Sequence, residues 1–454
     1  MIGNFRLGEL REPLQGSLSG ENVTFTGVSI DSRTTRPGDL YIAIPGARYD
    51  GHDFAAEAAA AGAVAVMGER AMAVSLPQMQ VADSRVALGQ LGAMNRQRYQ
   101  GPLVAITGSC GKTTSKEMLA AILGHCGNTL YTKGNLNNEI GAPLTLLRLS
   151  EETEYAVIEL GASGVGEIAW TVSLAAPHLS ILTNASEAHL EGFGSLENIV
   201  IAKGEIIEGL GESGRAILNA DDPAFPRWQQ RAGDRTVISV SAQGRDGADY
   251  RAESLRPVAT GLEFVCCRPD GSRTEVSLPL SGPHNVSNAL QVIAAAEALG
   301  IEAARWAPAL ETMSATPGRL QRQSLTPQLT LLDDSYNANP ASMNAALAAL
   351  ALEPGRRIAV LGDMAELGQQ APARHQSVAA TAMALGIDHL LVCGGYAEDY
   401  RQGSQGQALI ARDHEELIQL LMPLLDQPGT VLIKGSRSAA MDQLVAMLKK
   451  RIKS

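Results

Sequence analysis

A short loop rich in glycine, with one lysine, is the first part of the chain whose residue types could perform chemistry. It follows an apolar run and precedes a helical pattern, the context in which a phosphate-binding loop occurs. Backbone N–H groups of such a loop face phosphate oxygens, Lys112 supplies a positive charge, and the Thr113 hydroxyl can hold Mg²⁺. Only two residues separate the two glycines, whereas the usual pattern has four. The predicted nucleotide-binding residues are Gly108, Ser109, Cys110, Gly111, Lys112, Thr113 and Thr114.

Composition predicts a large cytoplasmic protein that binds no nucleic acid. The chain has 454 residues, 45% hydrophobic and 19% charged, so about three domains are expected. The formal net charge is −11 without a basic stripe, which argues against a nucleic-acid surface. The five cysteines form no Cys-x-x-Cys pair, a pattern typical of reduced thiols. The N-terminal residues lack a signal-peptide core, and the longest apolar run, 55–68, contains a glutamate and two glycines, so no membrane span is expected.

Hydrophobic patterning predicts an α/β protein of three domains. Residues 1–82 alternate short strands with an alanine-rich helix and are predicted to be a small α/β domain. In residues 83–315, continuous apolar strands predict a P-loop-type parallel sheet, followed by an antiparallel ribbon. Residues 316–454 begin with a Pro-Gly hinge around residue 317 and are predicted to form a Rossmann-like doubly wound sheet. Ligands of such sheets bind beyond the carboxyl ends of the strands, where the polar residues of this chain collect.

Several polar residues of the second domain have both a functional and a structural explanation. Glu159 ends a buried strand, where its carboxylate can hold a metal or satisfy the strand end. His189 is a lone histidine in a turn, and such residues are usually structural. Lys203 lies on the apolar face of a predicted helix, where an ammonium is costly unless the side chain extends to solvent. Asn285 and Asn288 share a helix face and could bind adenine, although Asn285 could equally cap the helix.

Longer motifs, taken together with the shortened loop, resemble the Mur ligases, the ATP-dependent amide ligases of peptidoglycan synthesis. The resemblance extends over essentially the whole chain. The last-domain motifs are most similar to those of the family branch that adds D-alanyl-D-alanine to UDP-MurNAc-tripeptide. The motifs that carry the resemblance are SIDSRTTRPGDLYIAIPG, YTKGNLNNEIGAPLTLL, VIELGAS, NASEAHLEGFGSLENIVIAKGEI, GPHNVSNAL, DDSYNANPASM, LGDMAELG and IKGSRS.

The resemblance implies ATP and Mg²⁺ as cofactors. It further implies that the tripeptide carboxylate attacks ATP to give an acyl phosphate, which the amine of the dipeptide then attacks. The implied residues are Lys112, Lys203 and His189 for catalysis; Thr113, Glu159, His189 and Lys203 (as a carbamate) for the metal; and Asn285, Asn288, Arg319 and Asp334, beyond the loop, for ATP.

The other implied partners are small molecules, and a monomer is expected. The UDP-linked substrate would contact the first domain and part of the second, and D-alanyl-D-alanine would contact the third. For the polar turn at residues 29–33, a solvated surface turn is the alternative. The implied residues are Ser29, Asp31, Ser32, Arg33, Asn135, Asn137 and Asn138 for the UDP substrate, and Asn337, Asn339 and Arg437 for the dipeptide.

Two alternative functions are open at this point. A sibling ligase would add a single amino acid, as the diaminopimelate- or lysine-adding enzymes and folylpolyglutamate synthetase do. The diamino-acid enzymes typically carry Asp-Asn-Pro-Arg, whereas residues 337–341 read Asn-Ala-Asn-Pro-Ala, without arginine. A P-loop NTPase that uses hydrolysis as a regulatory switch belongs to a different class. ATP consumption that depends on both a UDP-peptide and an amine would exclude the switch.

Overall fold

The first domain is built on a small, mostly parallel sheet. The computed structural model describes residues 1–258 and 260–453. The sheet has the order β2–β7–β6–β5–β4, in which β2 alone is antiparallel to its neighbour, and β1 pairs with β3 in a separate ribbon. The elements are β1 (Phe5–Arg6), β2 (Ser17–Ser19), β3 (Thr24–Phe25), β4 (Gly27–Ser29), β5 (Asp39–Ile42), α1 (Ala55–Ala60), β6 (Ala65–Gly68) and β7 (Gln78–Gln80).

The helix α2 (Ser84–Arg98) fastens the first domain to the second. Asp83 caps this helix, because its carboxylate accepts hydrogen bonds from two N–H groups of the first turn. Asn95 is fully buried and donates to the Leu146 carbonyl at 2.8 Å. Arg96 is also buried and donates to carbonyl groups at the end of a second-domain helix. These bonds satisfy backbone groups that would otherwise be buried without partners, so α2 belongs to both cores.

The second domain contains the predicted parallel sheet and its antiparallel ribbon. The strand order is β16–β15–β14–β13–β12–β11–β8–β10–β9, parallel from β9 to β14 and antiparallel in the ribbon β14–β16. The strands are β8 (Leu103–Thr107), β9 (Thr129–Tyr131), β10 (Tyr155–Glu159), β11 (Leu179–Leu182), β12 (Arg215–Asn219), β13 (Thr236–Ser241), β14 (Tyr250–Val258), β15 (Gly261–Cys267) and β16 (Arg273–Leu278). The helices are α3 (Lys112–Gly124), α4 (Gly141–Leu146), α5 (Glu167–Ala175), α6 (Leu190–Phe193), α7 (Leu196–Glu208), α8 (Phe225–Ala232), α9 (His284–Ala298) and α10 (Ala303–Glu311).

Helices cover both faces of this sheet, which explains its continuous apolar strands. Alternate side chains of β8 enter different cores: Leu103 and Ala105 pack in the core that contains residues of α5 and α7, whereas Val104 and Ile106 pack in the core that contains residues of α3 and α9. A strand that is buried on both faces gives a charged side chain no access to water until the strand ends. The charged side chains of the parallel strands β8–β13 are therefore confined to the strand ends.

The structural alternative for Asn285, a helix cap, is wrong. The helix α9 begins at His284, because Pro283 already has nearly helical backbone angles (φ −56°, ψ −27°) and occupies the N-cap position. Asn285 therefore lies inside the first turn and does not cap the helix. Its side-chain amide donates to the Ser281 carbonyl at 2.7 Å.

The third domain is a doubly wound sheet, as predicted. The order is β17–β18–β22–β19–β20–β21, parallel except for β17. In the part of the chain that the structure describes, no helix has the length and apolarity to cross a membrane. The elements are β17 (Gln321–Thr326), β18 (Leu329–Asp334), α11 (Pro340–Ala351), β19 (Arg356–Leu361), α12 (Ala371–Ala384), β20 (His389–Cys393), α13 (Ala397–Gly403), β21 (Leu409–Ala411), α14 (His414–Leu421), β22 (Gly429–Lys434) and α15 (Met441–Lys453).

Candidate active site

A cavity of about 1190 Å³ lies between the second and third domains, beyond the carboxyl ends of their parallel strands. It brings together most of the predicted site residues from both domains. Gly108 and Lys203 do not line it, and neither does any of the four predicted residues of the first domain. The predicted residues that line it are Ser109, Cys110, Gly111, Lys112, Thr113, Thr114, Asn135, Asn137, Asn138, Glu159, His189, Asn285, Asn288, Arg319, Asp334, Asn337, Asn339 and Arg437.

The phosphate loop adopts a conformation that requires glycine. Gly111 has a φ of 84°, in the left-handed region, and a Cβ at this position would lie 2.5 Å from the side-chain oxygen of Asn288. Asn184 braces the loop from the end of β11, because its side-chain oxygen accepts a hydrogen bond from the Cys110 N–H at 3.1 Å. The shortened spacing therefore produces a well-supported turn from β8 into α3.

Lys112 begins α3 and folds back over the loop. Its Nζ donates to the Gly108 carbonyl at 2.6 Å. Burial lowers the pKa of Lys112, and the nearby Glu159 carboxylate counteracts this shift. An ammonium that is held at the loop by carbonyl oxygens can transfer its hydrogen bonds to phosphate oxygens.

Glu159 has the surroundings of a metal ligand. One carboxylate oxygen accepts a hydrogen bond from the Asn137 amide at 2.7 Å, and the other is buried without a hydrogen bond, 3.9 Å from the Lys116 ammonium. The Thr113 hydroxyl, also in the cavity, accepts a hydrogen bond from Arg319 at 3.1 Å. Within the described residues no group of three or more His, Cys, Asp or Glu side chains could hold a metal ion. The donors present fit Mg²⁺, which binds through one or two carboxylates together with phosphates and water.

Lys203 is buried behind the cavity wall. Its side chain is 1% exposed, and Nζ donates to the Ala162 carbonyl at 3.3 Å, while Ala162 itself lines the cavity. Nζ also lies 5.0 Å from the centre of the Phe193 ring. Burial, together with the charge of Lys112, lowers the pKa of Lys203 to about 7. The alternative in which this side chain extends to solvent is therefore wrong, and a neutral amine is accessible near neutral pH.

His189 joins the main cavity to a smaller one. The smaller cavity, of about 270 Å³, is lined by His189, by Glu366 and by the three residues predicted to bind the dipeptide, Asn337, Asn339 and Arg437. The Glu366 carboxylate contacts Nδ1 of His189. Burial lowers the pKa of His189, an effect that the Glu366 charge partly offsets.

The predicted dipeptide residues differ in how freely they could bind a ligand. Arg437 is exposed and pairs with Asp442 at 3.0 Å. The Asn339 side-chain oxygen caps α11 by accepting from the Ser342 N–H at 2.8 Å, and its amide also contacts Cys110 of the phosphate loop. Asn337 is exposed. Arg437 and Asn337 are therefore more available to a ligand than Asn339.

Residues of the third domain reach the nucleotide side of the main cavity. The Arg319 guanidinium stacks on the Tyr336 ring at 4.2 Å while it donates to Thr113. Asp334 accepts hydrogen bonds from Lys434 Nζ at 2.6 Å and from the backbone of Leu320. The adenine and ribose roles of Asn285, Asn288 and Asp334 remain predictions, because these side chains are largely engaged with other protein groups.

The polar groups of the predicted UDP-binding turn form hydrogen bonds with residues of the first domain. Asp31 pairs with Arg33 at 2.7 Å and also accepts the Arg33 N–H. The Ser29 hydroxyl donates to the Asp31 carbonyl, and Ser32 donates to Glu57 at 3.0 Å. Since the turn lines neither cavity, its role in UDP binding stays a prediction.

Family models match each of the three domains. The Mur ligase family catalytic domain matches residues 24–96, the Mur ligase middle domain matches 106–296, and the Mur ligase glutamate ligase domain matches 318–437. The UDP-N-acetylmuramoyl-tripeptide–D-alanyl-D-alanine ligase of Escherichia coli is 46% identical over 97% of this chain and 98% of its own length. The chain belongs to the Mur ligase family.

Solved structures of the family have the same architecture. MurF from Acinetobacter baumannii is 34% identical, with a TM-score of 0.93 over 99% of both chains. MurF from Thermotoga maritima, in complex with ADP, is 28% identical, with a TM-score of 0.85 over 94% of this chain and 98% of that one. These similarities confirm the predicted family and the predicted three-domain fold.

Sequence reasoning missed several residues of this Mur ligase site. Lys434 is almost fully buried at the end of β22 and binds Asp334 on the neighbouring strand β18. The sequence contained a signal for Lys434, because it is a charged residue at the end of an apolar strand. Glu366 lies within the motif LGDMAELG, but nothing in the chain near it indicates its contact with His189, more than 170 residues away.

We expect that replacing Gly111 with alanine weakens nucleotide binding. The left-handed backbone costs about 1–2 kcal/mol for alanine, and the Cβ would also meet Asn288. A loop that relaxes from this conformation must recover that energy to bind ADP, which corresponds to an about 5- to 30-fold loss of ADP affinity. Isothermal titration calorimetry with ADP measures the effect. Gly124→Ala, at the end of the same helix, is the matched control, since a Cβ there meets nothing within 4 Å. Unchanged ADP affinity in Gly111→Ala would contradict this account of the loop.

Proposed function

We propose that this Mur ligase joins D-alanyl-D-alanine to UDP-MurNAc-tripeptide at the expense of ATP. The observation that carries the proposal is that the cavity of the phosphate loop reaches the predicted dipeptide residues, because His189, Asn337 and Arg437 line both this cavity and the smaller one. An activated carboxylate in the first cavity is then adjacent to an amine in the second. The name of the E. coli relative, 46% identical over almost the full chain, supports the same reaction.

In the first step the terminal carboxylate of the tripeptide attacks the γ-phosphorus of ATP, giving an acyl phosphate and ADP. Lys112 is held at the loop and stabilises negative charge as the phosphoryl group is transferred. Arg319 brings a second cation to the loop from the third domain. Glu159 and Thr113 would hold Mg²⁺, which neutralises phosphate charge when bound.

In the second step the amine of the dipeptide attacks the acyl carbonyl carbon. The resulting tetrahedral intermediate expels inorganic phosphate and loses a proton, which leaves the new amide. Arg437 would hold the dipeptide carboxylate, and Asn337 would provide an uncharged amide beside it. The meeting of the two domains around the hinge near Pro317 would keep water from the acyl phosphate.

Ligases that add one amino acid are the second candidate. Diaminopimelate-adding and folylpolyglutamate-forming enzymes share the fold with TM-scores of 0.59 and 0.64, but at 19% and 17% identity. At identities this low, the similarity shows that these enzymes share the fold and nothing further. Apart from His189 and Glu366, which contact each other, the polar groups of the small cavity are one arginine, Arg437, and uncharged amides and hydroxyls, which suits a ligand with one carboxylate and no charged side chain.

An assay with each amine in turn tests the function. The protein is incubated with ATP, Mg²⁺, UDP-MurNAc-tripeptide and D-alanyl-D-alanine or a single amino acid, and both phosphate release and product mass are measured. We expect phosphate release to require the UDP-peptide and the dipeptide together, with a product heavier by the dipeptide minus water. ATP hydrolysis that is independent of the amine would instead indicate a nucleotide switch.

Arg437→Ala should raise the Michaelis constant for D-alanyl-D-alanine and leave that for ATP nearly unchanged. Loss of a charge-assisted bond of about 1.5–3 kcal/mol corresponds to an increase of about 10- to 100-fold. Arg437→Lys should lie in between, because lysine keeps the charge but not the two parallel bonds. Arg412→Ala, which removes another exposed, ion-paired arginine of the same domain, is the control. Equal losses for both substrates would assign Arg437 to the phosphates or to the fold.

We expect Lys203 to carry a carbamate in the active enzyme. The neutral amine adds carbon dioxide and releases a proton, which yields an anion with two oxygens that Mg²⁺ accepts as a ligand. Because the pKa of Lys203 is about 7, the ammonium predominates as the pH falls below 7 and the carbamate is lost. ¹³C NMR with labelled bicarbonate should show a carbamate signal near pH 8 that weakens toward pH 6.

Variants of Lys203 provide the controls. The carbamate signal should be absent from Lys203→Ala and from Lys203→Arg, and both variants should lose at least ~100-fold in turnover by analogy with other lost electrostatic groups. Short carboxylates should partly restore Lys203→Ala only. A fully active Lys203→Arg enzyme would show that a cation, rather than a carbamate, is required.

A further inference from the structure

Two residues with left-handed backbones meet across the boundary between the second and third domains. His189 has a φ of 55° and Glu366 has a φ of 60°, values that residues other than glycine seldom adopt. Besides the side-chain contact, the Glu366 carbonyl accepts a hydrogen bond from the Glu191 N–H at 3.1 Å. Strained backbones persist where surrounding contacts hold them, and they cluster at functional sites. Strain on both sides of one contact therefore points to a function for that contact.

The Glu366 carboxylate determines which imidazole nitrogen is free. An ionised carboxylate only accepts hydrogen bonds, so Nδ1 of His189 must carry the proton that it donates. In a neutral ring, Nε2 then keeps its lone pair. Metal-binding histidines usually donate their other ring N–H to a carboxylate or a carbonyl in this way. Since His189 also lines the main cavity, a free Nε2 would be able to act there.

We infer that Glu366 is a positioning residue, which holds His189 as the Nδ1–H tautomer and leaves Nε2 free for the metal-binding side of the main cavity. The inference rests on the proposed function, because that function gives His189 its place beside the metal. Glu366 belongs to the third domain and His189 to the second. The imidazole is therefore oriented only while the two domains are docked.

A neighbouring ion pair provides a matched control for docking. Arg374 of the third domain donates to the Glu187 carboxylate at 2.5 Å, two residues before His189. This pair joins the same two surfaces but does not touch the imidazole. Arg374→Ala therefore weakens the domain contact without removing the carboxylate partner of Nδ1.

The experiment measures the tautomer directly in the full-length protein. The chain is labelled with ¹⁵N-histidine, and the ring signals of His189 are assigned as those missing from His189→Gln. We expect wild type and Arg374→Ala to show a protonated Nδ1 and an unprotonated Nε2, and Glu366→Ala to show a mixture of the two tautomers. Glu366→Gln, whose side-chain oxygen can still accept from Nδ1, should restore most of the wild-type signal.

Kinetics of the same variants complete the test. Glu366→Ala should lower kcat by about 10- to 100-fold, the usual effect of losing such a partner, and raise the Mg²⁺ concentration required for half-maximal turnover. Unchanged His189 signals in Glu366→Ala would overturn the inference, and so would an equal tautomer change in Arg374→Ala. The NMR result does not depend on ligase activity, so failure of the proposed function would be seen separately, in the product-mass assay.

Discussion

Cations and carboxylates lie close together around one cavity, in a chain whose formal net charge is −11. Lys112 and Arg319 line the cavity, and Lys203 lies behind its wall, where burial and the charge of Lys112 lower its pKa. Cations this close repel one another, and burial raises the cost further. The arrangement is favourable only with anions among the cations, whether Glu159 of the chain or phosphates and carboxylates of the substrates. The reaction proposed above supplies such anions at every stage.

Parallel strands explain how so many functional groups reach that cavity. The parallel strands β8–β13 of the second domain and β18–β22 of the third carry charged residues only at or next to their ends. The carboxyl ends of these strands meet at one edge of each sheet. Glu159 ends β10, and Asp334 and Lys434 end the neighbouring strands β18 and β22. The cavity forms because these two edges face each other.

Features that depend on a short stretch of chain could be predicted, and contacts between distant stretches could not. The phosphate loop and the buried position of Lys203 follow from spacing within one strand-turn-helix unit or one helix. The Asn285 cap was wrong because helix starts depend on single backbone angles, here those of Pro283. The bonds from Glu366 to His189 and from Arg319 to Thr113 join domains, and local periodicity contains no information about which distant residues will meet.

The bond between Arg319 and Thr113 has a mechanical consequence. Arg319 lies next to the hinge, on the same domain as Asn337 and Arg437 of the smaller cavity. A rotation of the third domain that widened the smaller cavity for an entering dipeptide would also move the Arg319 guanidinium away from the phosphate loop. The entry of the dipeptide and the charge around ATP are thus coupled, because Arg319, Asn337 and Arg437 belong to the same domain. ATP would contact both Lys112 and Arg319 only after the entrance to the smaller cavity had narrowed.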